Sequence, residues 1–269
     1  MAVVLKELIN YLEAFAPVGC AEIYDNPGLA VGDFNSKIKR VLIALDVTDK
    51  VIDEAIEKKA DLIFTHHPLL FSRPESVNNE NSQGRKIIKM LTNGINAYSS
   101  HTNLDKVVNG MNDMIMEVLG FNNSSVLSQV DSGNGIGIGR ISVIEAISLS
   151  ELAKKVGESL DADTILFSGD PDKVITKVAV VNGSGADFIN LAKEAGAEVL
   201  VTGDTKYHDI LDALDRGICV IDAGHFNTEW NVFTKLSTKL LNKFNENHEL
   251  IEYLISENTK DVYQYISMV

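Results

Sequence analysis

The stretch Asp61-Leu62-Ile63-Phe64-Thr65-His66-His67-Pro68 sets two adjacent imidazoles at the end of a run, Leu62 to Thr65, whose residues are all apolar or β-branched. A short run of this kind reads as a buried parallel strand. Pro68 has no N–H to donate and biases His67 away from the helical region, so the strand leaves its sheet at the pair. On a regular strand two neighbours face opposite ways. At a strand end that alternation breaks, and both rings can turn toward one point, which is what binding a metal ion requires.

Other groups of the same chemistry recur along the chain. Of the six histidines, His66, His67, His101, His208 and His225 lie just after an apolar strand run or within a few residues of one. Open α/β sheets collect their ligands at such carboxyl ends of strands. His248 stands apart in a charged stretch and reads as a solvated surface residue. Asp105 lies four residues after His101, and Glu229 four after His225. A helix starting near His225 would put His225 and Glu229 on one face, one turn apart. Imidazole and carboxylate donors without thiolate suit zinc, iron, manganese, cobalt or nickel. Three histidines with two carboxylates exceed one tetrahedral site that keeps an open position, and they fit two metals with a bridging carboxylate. Taken singly, a strand-end histidine is more often a hydrogen-bonded structural residue, and a histidine–glutamate pair at this spacing an ordinary surface pair. The gathering of all of them at strand ends is what favours a metal site.

The stretch Asn182-Gly183-Ser184-Gly185-Ala186-Asp187 separates a strand from a helix. Glycines there would let backbone N–H groups face an anion such as a phosphate. The competing expectation is a tight turn with Ser184 or Asp187 near the helix cap.

The elements that must position these groups are legible in the apolar spacing. Leu5, Leu8, Ile9, Leu12 and Phe15 mark an amphipathic helix ended near Pro17. Residues Ala21 to Leu29 read as a loop. Arg40 to Asp46 predicts a strand, Asp49 to Lys59 a helix, Gln83 to Asn93 a helix, Ile95 to Ser99 a strand and Asn109 to Leu119 a helix, with Phe71 to Gln83 a polar loop. Asn122 to Arg140 is rich in asparagine, serine and glycine, and a domain boundary is expected near residue 125. Gly133, Gly135, Gly137 and Gly139 alternate without the spacing of a dinucleotide fingerprint, so a glycine-rich strand or bulge is expected.

The second half repeats the first. Val178 to Gly183 resembles Val41 to Asp46, Ala197 to Asp204 resembles Ala60 to His67, and Gly217 to His225 resembles Gly94 to His101, the third member of the first half coming later as if a loop were inserted. The expectation is therefore an α/β protein of two related α/β/α units with mostly parallel sheets. The first unit is expected over residues 1–125 and the second over 126–269, with the metal site between them at the strand C-terminal ends. Asn227 to Lys243 predicts a helix and Leu250 to Ile255 a last strand, the C-terminal segment being free to return to the first unit.

Composition narrows the class. The 269 residues carry 38 acidic against 24 basic side chains, a formal charge of -14, which weighs against binding nucleic acid or anionic membrane surfaces. The two cysteines, Cys20 and Cys219, supply neither a disulfide framework nor a thiolate metal cage, and Cys219 sits in an apolar run as a small core residue. No apolar run approaches a membrane span, and Lys6, Glu7 and Glu13 interrupt the first residues, unlike a signal peptide. A cytoplasmic location is expected.

Five motifs occur in one order: Asp25-Asn26-x-Gly28-Leu29, Thr65-His66-His67-Pro68-Leu69, Ser100-His101-Thr102-Asn103-Leu104-Asp105, Thr202-Gly203-Asp204-x-Lys206-Tyr207-His208 and Gly224-His225-Phe226-x-x-Glu229. Together they resemble the NIF-three-like family, also known as GTP cyclohydrolase 1 type 2 homologues, over nearly the whole chain. The resemblance implies two divalent metal ions per chain, held by His66, His67, Asp105, His225 and Glu229. It also implies a ring-shaped homohexamer with the metals facing an internal cavity, lined at positions matching His101, Tyr207 and His208. Tyr24 stands where the family usually has tryptophan. Longer members carry an extra domain in the middle, which the short glycine-rich stretch here does not provide for. The function expected is a metal-dependent hydrolase acting on a nucleotide or related heterocycle, with GTP ring opening the named candidate and His101, His208 and Tyr207 as catalytic groups. The rival expectation is a metal-binding regulatory or interaction protein without hydrolytic activity.

Overall fold

The structure is a computed structural model, and it describes residues 2–129, 135–248 and 250–266. Its elements in chain order are β1 (Val3–Val4), α1 (Leu5–Phe15), β2 (Gly28–Val31), β3 (Lys37–Ile38), β4 (Arg40–Ala44), α2 (Asp49–Glu57), β5 (Leu62–Thr65), α3 (Ser82–Thr92), β6 (Asn96–Ser99), α4 (Thr102–Lys106) and α5 (Met111–Leu119). They continue with β7 (Ser125–Gln129), β8 (Gly137–Ser148), α6 (Leu149–Leu160), β9 (Leu166–Ser168), β10 (Val174–Ser184), α7 (Ile189–Glu194), β11 (Val199–Gly203), α8 (Tyr207–Asp215), β12 (Cys219–Asp222), α9 (His225–Asn245) and β13 (Glu252–Ile255). The chain groups into two compact units, Met1–Leu104 with Phe233–Lys260, and Asp105–Val232 with Asp261–Val269.

In the first unit the strand order is β13-β4-β5-β6-β2. The strands from β13 to β6 run parallel, and β2 pairs antiparallel with β6. Every residue of β5 is buried, as an unbroken apolar run covered on both faces should be. Helix α2 presents Val51, Ile52 and Ala55 to the sheet at helical spacing, and α3 adds Ile87 and Met90. Each of the valine, isoleucine and methionine side chains among them contributes on the order of 1.5–3 kcal/mol by leaving water. Thr48 starts α2 by accepting a hydrogen bond from the Val51 N–H at 3.2 Å, and Asn81 starts α3 by accepting from Gly84 N–H at 2.6 Å. Between β5 and α3, residues 69–81 form neither helix nor strand, which is the inserted loop expected from the repeat.

Strand β13 is held by its ladder with β4, and a buried carboxylate anchors the residues that follow it. Glu54, 3% exposed, accepts from Lys58 Nζ, Ser256 Oγ, the Glu257 N–H, and the N–H and side-chain amide of Asn258. Burial alone would raise the Glu54 carboxyl, but these donors outweigh it and hold it down at about 2. Gly28 and Leu29, expected in a loop, open β2 instead, because the backbone there pairs with Ser99 and Tyr98 of β6. His248, expected to be merely solvated, lies flat on Phe244 with ring centroids 4.0 Å apart and bonds the Phe244 carbonyl through Nδ1 at 2.9 Å.

In the second unit the order is β7-β8-β10-β11-β12-β9. Its centre, β10-β11-β12, is parallel, while β8 joins β10 and β9 joins β12 antiparallel. Ser148 and Glu151 cap α6 reciprocally. Cys219 is buried at 3% exposure, as expected of a core residue. Of the alternating glycines Gly137 and Gly139 open β8 and Gly135 precedes it, with Gly135 and Gly139 at positive φ; Gly133 lies outside the described residues. Residues 105–124, grouped with the first unit on composition, group with the second in the structure. Met111, Met114 and Ile115 of α5 are buried, the helix packs on β8, β10 and α6, and Asp113 meets the buried Arg140 side chain at 2.5 and 2.8 Å. Packing of an apolar helix face outranks the change in composition that suggested a boundary near 125.

Candidate metal centre

The carboxyl ends of β5 and β6 bring His66, His67 and His101 together. Each offers a ring nitrogen, and these atoms lie within 4.8 Å of one another. Their ring centroids are 5.1 to 5.5 Å apart. His66 is fully buried. Each ring is held through Nδ1: His66 by the Ser100 carbonyl at 2.8 Å, His67 by Asp46 Oδ1 at 2.9 Å and His101 by Asp25 Oδ1 at 2.8 Å. Ser100 O has no proton to give, so Nδ1 of His66 carries the hydrogen and Nε2 carries the lone pair; the two carboxylates impose the same tautomer on neutral His67 and His101.

Asp25 is fixed more firmly than its ring. It accepts from His101 Nδ1, from the Thr102 N–H and hydroxyl at 3.1 and 2.5 Å, and from the Asn26 N–H at 2.8 Å. Burial would raise its carboxyl, but the bonds from His101 and Thr102, with the attraction of His101 and the Asn26 N–H, hold it at about 2.

The second unit gathers its own donors around β10, β12 and α9. Helix α9 begins at His225, so His225 and Glu229 share a face, with Nε2 and Oε2 3.0 Å apart. Asp204, just past β11, holds His225 Nδ1 at 2.7 Å. The Asn182 side-chain amide donates to Asp105 Oδ1 at 2.9 Å and to Glu229 Oε1 at 3.4 Å, so one residue at the end of β10 aligns two carboxylates. With Nδ1–H given to Asp204, a neutral His225 turns its Nε2 lone pair toward a carboxylate oxygen, and a cation bound by both relieves that repulsion. The donor sets of both units therefore fit divalent metal chemistry.

The glycine turn does not fit the phosphate expectation. The Gly183 N–H donates to Thr228 Oγ1 at 3.0 Å and the Gly185 N–H to Thr202 Oγ1 at 2.8 Å, so these donors are spent within the protein. Gly183 serves a different end. At φ +62° it passes so close to Glu229 that a Cβ there would lie 2.2 Å from Oε1. Tyr207 and His208 open α8, both exposed, with Tyr207 lining a cavity of about 240 Å³ beside Leu166, Phe167 and Ile210. Among the described residues His208 joins no group of three closely spaced ligand atoms, whereas His101, expected as a proton carrier, does. Asp46 draws no site role from the sequence, and Asn182 only a place at the head of the glycine turn, not as a partner of carboxylates. Their signal was position, since each stands where an apolar strand run ends.

A model of the Duf34/NIF3 (NGG1p interacting factor 3) family matches residues 3–261. The chain is 42% identical over 267 residues to a GTP cyclohydrolase 1 type 2 homolog of Clostridium acetobutylicum, covering 98% of this chain and 100% of the relative. A homolog of the same name from Bacillus subtilis aligns over 367 positions at 27% identity, covering 97% of this chain and 98% of the relative, and so carries sequence that this chain lacks. The crystal structure of a Staphylococcus aureus hypothetical protein superposes with a TM-score of 0.91 at 30% identity, covering 99% of this chain and 100% of that one. Among the described residues no helix is long and apolar enough to cross a membrane.

Proposed function

Because the chain belongs to the Duf34/NIF3 (NGG1p interacting factor 3) family, we propose that it is a metal-dependent hydrolase with a dinuclear centre, acting on a nucleotide or related heterocycle. The observation that carries this reading is the common posture of four imidazoles, those of His66, His67, His101 and His225. Each gives its Nδ1 to a carbonyl or carboxylate and so presents Nε2 as the donor. That posture is the usual one for ligand histidines. The proposed ligands are His66, His67, Asp105, His225 and Glu229, and the proposed load is two divalent ions per chain.

Such ions would act as Lewis acids and lower the pKa of a bound water toward neutrality. The chain's own residues supply the rest. Asn182 keeps the Asp105 and Glu229 carboxylates from rotating, and Asp46 and Asp204 hold the His67 and His225 rings. His101 is proposed to take a proton at Nε2, with Asp25, bonded to its Nδ1, steadying the charge that develops on the ring. Tyr207 and His208 are proposed to orient substrate and to carry a second proton. GTP is the named candidate substrate, from the names of the relatives.

A ring-shaped homohexamer in the cytoplasm completes the reading; light scattering that reports a monomer at micromolar concentration would refute the assembly. The test of the function is elemental analysis of the purified protein, followed by a screen of nucleotides with the identified metal restored. Two bound divalent ions and turnover of a nucleotide are expected. Metal without turnover on any nucleotide would replace this reading with the regulatory one, and absence of metal would remove both.

A further inference from the structure

Two large aromatic side chains lie exposed beside the histidine cluster of the first unit. Tyr24 is 65% and Phe71 52% exposed. Their centroids are 6.3 Å apart, and Phe71 is 6.4 Å from the His101 ring. Both lie outside helices and strands, yet their segments are held. Asn26 Nδ2 donates to the Leu70 carbonyl at 2.6 Å, tying the segment of Tyr24 to that of Phe71. Asp25, between Tyr24 and Asn26, is locked onto His101 and Thr102, and the Glu22 N–H donates to Thr102 Oγ1 at 2.9 Å. Three consecutive residues thus present a ring, fix a histidine of the cluster and pin the loop that carries the second ring. Exposed aromatic faces on anchored loops next to a chemical site are suited to stacking a flat ligand ring.

We propose that Tyr24 and Phe71 form an aromatic shelf on which a purine-type ring of the substrate stacks, with its edge toward His101. This rests on the nucleotide reading above and names the part of the substrate that this face of the site recognises. A charge of -14 repels polyphosphate at long range, so an uncharged stacking contact is the fitting source of affinity.

The experiment uses the full-length metal-loaded protein and three probes, GTP, guanosine and inorganic triphosphate, with binding read by calorimetry. Tyr24→Ala and Phe71→Ala are exposed substitutions, and metal content and oligomer size are expected to match the wild type. Both should weaken guanosine and GTP about tenfold or more and leave triphosphate unchanged. Tyr24→Trp should keep the affinity and give fluorescence that guanosine quenches. Unchanged guanosine binding in both alanine variants, or a wild type that binds no guanosine, overturns the shelf. So does a changed oligomer size, which would mean that a second copy of the chain covers it. A wild type that binds guanosine through the shelf but hydrolyses nothing leaves this inference standing and removes the hydrolase reading. Turnover that persists in both alanine variants at unchanged KM does the reverse.

Discussion

Gly183→Ala is the most direct probe of the second unit's donors. The added Cβ would lie 2.2 Å from Glu229 Oε1, against the 3.4 Å at which ordinary contact begins, so the carboxylate must retreat by about 1.2 Å. Metal ligation tolerates only about 0.2 Å. The retreat also breaks the alignment that Asn182 gives Glu229 and opens the 3.0 Å approach to His225. A left-handed backbone costs alanine a further 1–2 kcal/mol or so. Gly94→Ala separates the two effects, because Gly94 has φ +68° and no atom within 4 Å of its Cβ. Metal titration and thermal unfolding should be run on both variants. Each should lose a few degrees in Tm from backbone strain, while only Gly183→Ala should lose metal affinity, by about a hundredfold. Equal metal affinity in the two variants would show that Glu229 is not a ligand, and the argument from its geometry would fail.

Three further outcomes follow from particular contacts. The Glu54 carboxyl sits at about 2 in the fold against 4.5 unperturbed, so its stabilisation is complete above pH 4.5 and is lost as pH falls toward 2; it is worth at most about 3 kcal/mol. Urea unfolding of Glu54→Gln should show a deficit of about 2–3 kcal/mol at pH 7 that shrinks at pH 3, and a deficit independent of pH would refute the linkage. Asp204→Ala releases His225 Nδ1 and should weaken metal binding by about 10- to 100-fold in a metal titration, whereas an ordinary surface pair would leave it unchanged. His208→Ala should keep metal content and oligomer size and lower turnover by roughly a hundredfold or more; full turnover would leave His208 without a catalytic part.

The sequence by itself determined the elements and the kind of chemistry. Apolar periodicity is local, so α1, α2, β4, β5 and α9 could be read residue by residue, and the position of His66, His67, His101 and His225 at strand ends follows from where those runs stop. The spacing of His225 and Glu229 needed only a helix starting at His225, which α9 supplies. What tertiary structure decided were the contacts made across sequence distance. Asn182 and Asp105 are 77 residues apart, and no local pattern pairs an amide with a carboxylate over that span. Gly183 could be seen to need backbone freedom, but whether its open side faced an anion or the Glu229 carboxylate depended on how β10 lies against α9. The apparent boundary near residue 125 failed for the same reason: composition changes along the chain, whereas a unit is defined by what its apolar faces bury, and α5 buries its own against β8 and β10. Chemistry was legible where one residue type at one strand end implies it, and hidden where it arises only after separate strands have been set side by side.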